Sequence, residues 1–172
     1  MPDCIFCSIA QGQTSSFKVY EDDAVIAFLD INPGNKGQVV VAPKKHVQGI
    51  HELSPAETGS VFKAVRLIVL GISQSLGCEG VNVIYSLGAR AGQRSDHMII
   101  YLIPRYEDDK VIIHWEPKRA EEAELKSTAQ AVKDAIKTIP ELVSAPKPKV
   151  VEEKSVEEPE EVVEEEPRVP DY

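Results

Sequence analysis

The chain has 172 residues and a formal charge of −9 at pH 7, from 28 acidic and 19 basic residues, with 42% apolar and 27% charged side chains. That is room for one ordinary domain with a real core, and the negative balance argues against a surface for duplex nucleic acid. The apolar strings are strand-sized, short of the roughly 18–20 residues of a membrane helix, and the N-terminus lacks a basic segment followed by an apolar one, so no membrane span or secretory signal is expected and a cytoplasmic protein is.

In chain order, Lys18 to Glu21 and Ala24 to Leu29 are rich in strand formers and are separated by the turn-prone Asp22-Asp23. Asn32-Pro-Gly-Asn-Lys-Gly37 is built from turn residues and feeds a third strand, Gln38 to Ala42, closed by Pro43. Ser54-Pro-Ala-Glu57 opens a helix, with Ser54 as N-cap, Pro55 where its missing N–H costs nothing, and Glu57 completing a capping box. Val61, Val65, Ile68, Ile72 and Leu76 then recur at helical spacing up to Gly77, a helix-ending glycine. Strands are expected at Gly80 to Ser86 and Met98 to Ile103, joined by a glycine-containing loop, with a short extra strand at Val111 to His114. Ala120 to Lys137 reads as a second main helix, acidic at its start and stopped before Pro140. Strands that meet first as neighbours, without helical crossovers, predict an α+β fold: an antiparallel sheet of about five strands with two main helices.

Residues 144–172 hold ten acidic and four basic residues, a net −6 of the chain's −9, together with five prolines. Such a segment repels itself and buries too little to offset its ordering entropy. The division expected is therefore a domain over 1–143 and a disordered acidic tail over 144–172, which either solubilises the domain or docks on a basic protein partner.

Cys4-Ile-Phe-Cys7 is a C-x-x-C, open to three readings: half a zinc site, a redox pair, or two buried cysteines. A zinc site needs two further ligands, and the chain offers only His46, His51, His97, His114 and Cys78. His46 ends Val39-Val-Val-Ala-Pro-Lys-Lys-His46, just past a strand. Alternation puts His97, Ile99 and Tyr101 on one strand face. His51 and His114 read as surface residues and Cys78 as a small buried hydrophobe.

Taken together, Cys4-Ile-Phe-Cys7, Ile26-Ala-Phe-Leu-Asp-Ile-Asn-Pro33, Val40-Val-Ala-Pro-Lys-Lys-His46, Gly80-Val-Asn82, Gly88, Ala91-Gly-Gln93 and His97 to Arg105 resemble the histidine triad family in order and spacing. The resemblance implies a small α+β nucleotide-binding domain that forms a two-fold homodimer. It also implies cleavage of a nucleoside monophosphate from a phosphoramidate, dinucleotide or acyl adenylate by an attacking imidazole. Carried over residue by residue, zinc falls to Cys4, Cys7, His46 and His97, a closed structural set. Phe28, Asp30 and Ile31 line the nucleoside pocket, with Asp30 accepting from the ribose hydroxyls or, equally, capping a turn. Ser86, Gly92, Gln93, Arg94, Ile99 and Tyr101 lie near the phosphates.

The departure is decisive: where the family has its second and third histidines this chain has Ile99 and Tyr101, and Ser86 and Arg94 replace its usual phosphate-contacting residues. The expectation is a zinc-stabilised protein that binds a purine or other nucleoside monophosphate and is catalytically impaired. The alternatives are a working hydrolase or nucleotidyl transferase with Tyr101, Ser95 or Asp96 as an unorthodox nucleophile, and a partner-binding protein with a vestigial pocket.

Overall fold

A computed structural model describes residues 4–139, which fall into two units dividing between His114 and Trp115. The expected boundary at 143/144 and the acidic tail lie outside the described residues. In the first unit, α1 (Ile5–Ala10) precedes β1 (Lys18–Glu21), β2 (Val25–Leu29) and β3 (Val39–Pro43). These are followed by α2 (Pro55–Ser75), β4 (Gly80–Tyr85) and β5 (Ile100–Arg105). The strands form one antiparallel sheet in the order β1-β2-β3-β5-β4, so the fold is α+β with five strands. The second unit contains α3 (Glu122–Lys137), none of whose side chains is buried.

Because side chains alternate across a strand, each central strand feeds two cores. Val25, Ala27, Val39, Val41, Ile100 and Leu102 meet Val61, Ala64, Val65, Ile68 and Ile72 of α2. On the opposite face, Ile26, Phe28, Val40 and Ala42 meet Ile9 of α1, with Phe6, Ala10, Ile99 and Tyr101 at the margin. Burying each such aliphatic or aromatic side chain is worth about 1.5–3 kcal/mol, which is why a valine run such as Val39–Val41 sits only in the middle of the sheet.

The capping box forms as expected: the Ser54 hydroxyl accepts from the Glu57 amide at 3.3 Å, and the Glu57 carboxylate accepts from the Ser54 amide at 2.7 Å. Gly77 follows the helix in the left-handed region at φ +62°.

Three expectations are corrected. Val111 to His114 is not a strand. The Arg105 guanidinium donates to the Val111 carbonyl at 2.6 Å and the Asp109 carboxylate accepts from the Val111 amide at 3.0 Å, so side chains take the groups a ladder would need. β5 starts at Ile100 rather than Met98, because the Met98 amide donates instead to the Val47 carbonyl at 2.7 Å, outside the sheet. Cys78 is half-buried rather than fully packed. The C-x-x-C segment also forms α1, a helix that no apolar periodicity announces over six residues.

Candidate metal centre and adjoining cleft

Cys4 is the N-cap of α1 and Cys7 lies in its first turn, three residues on, so the two thiols come together at the start of the helix. His46 follows β3, and His97 lies three residues before β5, fully buried. Thus two loops at one end of the sheet carry their imidazoles under the helix.

Cys7 Sγ lies 3.2 Å from His46 Nδ1 and 3.5 Å from His97 Nδ1, and Cys4 Sγ lies 3.4 Å from His97 Nδ1. All four ligand atoms fall within 4.8 Å of one another. A tetrahedral zinc with ordinary Zn–S and Zn–N bonds separates its ligands by about 3.3–3.8 Å. Three of the six ligand–ligand distances are thus already close to the edges of that tetrahedron.

The next shell agrees with this reading. His97 Nε2 donates to the Pro43 carbonyl at 2.9 Å, which fixes the tautomer and leaves the Nδ1 lone pair facing the thiols. Burial, reinforced by the imidazole of His46, holds the His97 pKa below its ordinary value and so keeps the ring neutral. Burial and the adjacent Cys4 thiol push Cys7 up, which is the strain a cation relieves. Phe6 packs on the His97 ring at a centroid distance of 5.6 Å and shields it. Cys4, Cys7, His46 and His97 can hold a zinc ion, and four protein ligands leave no open position for substrate. His51 and His114 are exposed and take no part.

Beside the tetrad, on the same sheet face, opens a cleft of about 340 Å³. Its lining includes Asp30, Ser86, Gly92, Gln93, Arg94, Ile99 and Tyr101, so the structure brings these sequence-predicted residues together. Phe28 instead lies in the core, stacked on Phe6 with centroids 6.4 Å apart, and Ile31 is 81% exposed; neither lines the cleft.

Asp30 caps a turn and also lines the cleft. Oδ1 accepts from the Asn32 amide at 2.9 Å, capping the turn, while the half-buried carboxylate also faces the cleft. Oδ2 accepts from Gln38 Nε2 at 2.8 Å, and Gln38 Oε1 accepts from the Gly34 amide at 2.9 Å.

On the opposite wall Gln93 pins the glycine loop. It accepts from the Gly88 amide at 2.6 Å and donates to the Gln48 and Ser95 carbonyls at 2.9 Å each. Gly92 sits at φ +88°, a conformation other residues rarely adopt, and lets the backbone line the cleft. Burial, followed by the negative charge of Asp30, pushes the Tyr101 phenol above its ordinary pKa, and Arg94 offsets this only in part.

With this geometry in place, a family model of the HIT domain matches residues 11–108, more than half of the chain. The chain belongs to the histidine triad family. It is 42% identical over 110 residues to an uncharacterised HIT-like protein of Methanocaldococcus jannaschii, covering 64% of this chain and 84% of that one. It is 30% identical over 135 residues to the adenosine 5′-monophosphoramidase of Schizosaccharomyces pombe, covering 78% and 98%. The crystal structure of a zinc-bound histidine triad family protein from Mycobacterium smegmatis superposes with a TM-score of 0.59 at 30% identity, over 78% of this chain and 97% of that one.

Within this histidine triad fold, sequence reasoning missed Asn32, Gln38, Ile84 and Ile103, all of which line the cleft. Ile103 shares the strand parity of Ile99 and Tyr101, a signal present in the sequence. Ile84 reaches the cleft only because it pairs with Tyr101 across β4 and β5.

Among the described residues, no helix is long and apolar enough to cross a membrane.

Proposed function

We propose that this histidine triad protein binds a nucleoside monophosphate in the cleft and holds it with little or no turnover, the metal tetrad serving structure alone. The observation that carries the reading is the side chain at position 99. Ile99 lines the cleft where, by the family resemblance, an attacking imidazole would stand, and a hydrocarbon has no lone pair to give to phosphorus.

The substitutes are poorly prepared for attack. The raised pKa of Tyr101 keeps its phenol protonated at neutral pH. The Ser95 hydroxyl accepts from the His97 amide at 3.1 Å, and Asp96 is exposed. The binding half is better equipped, because a carboxylate held in place by Asn32 and Gln38 suits the two donors of a ribose diol. Ile84, Ile99 and Ile103 supply an apolar floor.

The test is a thermal-shift series with nucleoside monophosphates, with turnover of adenosine 5′-phosphoramidate followed in the same wells. A ligand at 100 times its dissociation constant stabilises the native chain by about 2.7 kcal/mol, and no product accumulates. Ile99→His raises product formation above that of the native chain. Product from the native chain, or a nucleotidylated native polypeptide in intact-mass spectrometry, overturns the impairment; no shift with any nucleotide makes the cleft vestigial.

The reading includes a two-fold homodimer, supported by the free edge of β4 in the described sheet, and a cytoplasmic setting, which suits three cysteines outside any disulfide.

A further inference from the structure

We propose that Cys4 and Cys7 are a reversible oxidation site: a hydroperoxide joins them in a disulfide, zinc is released, and α1 loosens from the sheet face beside the cleft, which weakens ligand binding there. The last consequence rests on the reading of the cleft as a nucleoside site.

The pair is placed for that bond. Cys4 caps α1 and Cys7 lies three residues on. Residues so spaced in a helix have Cα atoms about 5 Å apart, inside the roughly 4.4–6.8 Å that a disulfide spans. The two Sγ atoms lie within 4.8 Å of each other, so rotation of the side chains brings them to bonding distance. The Cys4 side chain makes no capping hydrogen bond that this movement would break. Both thiols are half-buried rather than sealed in, which leaves a small oxidant a way to them. The third cysteine, Cys78, packs against the core that α2 covers, on the other face of the sheet, and offers neither of them a partner.

The metal and the disulfide exclude one another. A zinc-bound cysteine is already a thiolate, the form that attacks. One sulfur attacks the hydroperoxide, the O–O bond breaks, and an alcohol (water, from hydrogen peroxide) leaves with one proton. The second sulfur attacks the resulting sulfenic acid at sulfur, the S–S bond forms, and water leaves with a second proton. Two electrons have then passed from the sulfurs to the peroxide, and two ligands are lost together. The two imidazoles that remain, His46 and His97, are too few for a closed zinc site.

The metal's role stays structural, and oxidation removes the structure it supports. Without the tetrad α1 keeps one buried isoleucine and the packing of Phe6. Phe6 is also the link to the cleft. It packs on the His97 ring and on Phe28, and Ile99 and Tyr101 lie at the margin of the same cluster. Ile99 and Tyr101 line the cleft, so a loosened α1 withdraws cover from the side chains that shape its floor.

The experiment treats the full-length zinc-loaded chain with hydrogen peroxide, in the presence of a chromophoric chelator too weak to strip the untreated chain. Zinc leaves in full, and the N-terminal tryptic peptide, which ends at Lys18 and holds both cysteines, loses two hydrogens. Dithiothreitol with added zinc reverses both changes. Affinity for adenosine 5′-monophosphate falls about tenfold on oxidation, an ordinary coupling between sites, and recovers on reduction. Cys78→Ser behaves as the native chain does. Cys4→His, which keeps a zinc-binding side chain but cannot form the bond, holds its zinc over the time in which the native chain has lost it. Retention of zinc by the native chain under peroxide that oxidises Cys78 overturns the oxidation site, as does oxygen added to the N-terminal peptide in place of hydrogen loss, or failure of Cys78→Ser to release zinc. An affinity unchanged by oxidation overturns the link to the cleft. Failure of the untreated chain to bind the nucleotide overturns the nucleoside reading instead, and zinc release then decides the oxidation site by itself.

Discussion

Gln38 illustrates how one side chain links stability to the cleft. It is 7% exposed and satisfies two partners at once, the Asp30 carboxylate and the Gly34 amide. Removing it costs both partners that bond, and because Asp30 is half-buried and Gly34 exposed, water replaces part of it, so the loss is about 1 kcal/mol. Gln38→Ala should therefore lower the urea midpoint at constant slope, by that loss divided by the slope, and weaken nucleoside binding by releasing Asp30. Gln38→Glu should do worse, because a second carboxylate then faces the first. Nothing local in the sequence marks this residue, since a polar side chain ahead of a valine run reads as a strand end. Its role exists only because the turn through Asn32 folds Asp30 back beside it. The metal ligands were the opposite case. Cys4, Cys7, His46 and His97 are far apart along the chain, and the C-x-x-C alone leaves three readings open, but the order and spacing of all the family-like pieces together imply the set, and soft thiolates with imidazoles suit zinc.

The elements that could be read ahead carry their own end signals, and α2 is the clearest. Ser54, Pro55, Glu57 and Gly77 bound it, and the observed helix keeps to them. The segment at Val111 was misjudged because β-branched composition says nothing about which side chains claim the backbone, and there Arg105 and Asp109 claim it. α1 escaped notice because six residues are too few for a periodicity and too few to hold a helix without tertiary support. The capping box also has a pH signature. Hydrogen bonds from the Ser54 amide and hydroxyl, then from Lys45, lower the Glu57 pKa from 4.5 to about 2. A carboxyl depressed on folding contributes stability that is complete above its unfolded value and is lost as the pH falls. The Glu57 contribution is accordingly present above about pH 4.5 and disappears towards pH 2. Glu57→Gln keeps the cap's hydrogen-bond geometry but cannot titrate, so the difference between native and variant melting temperatures should shrink across that window. Ser54→Ala should cost about 1 kcal/mol at neutral pH.

At the scale of the molecule the sheet's two faces are secured by different means. α2 covers one with 21 residues and five buried side chains, while α1 covers part of the other with six residues and a single buried isoleucine. Such a short helix has little holding power by area alone, so the tetrad is what fastens it against His46 and His97. Metal binding thus acts as local folding energy for this face. Free zinc at 1,000 times its dissociation constant contributes about 4 kcal/mol, on the order of 15 °C in melting temperature for a domain this size. Chelation of the purified protein should produce a fall of that order, and Cys7→Ser should reproduce it without chelator. Hydrogen exchange then tells where the stability resided. The amides of residues 8–11, which close the α1 turns, should lose protection on chelation, whereas those of α2 keep theirs, because no tetrad residue belongs to the core that α2 covers. Uniform loss of protection across both faces would mean that the metal holds the whole sheet rather than the helix.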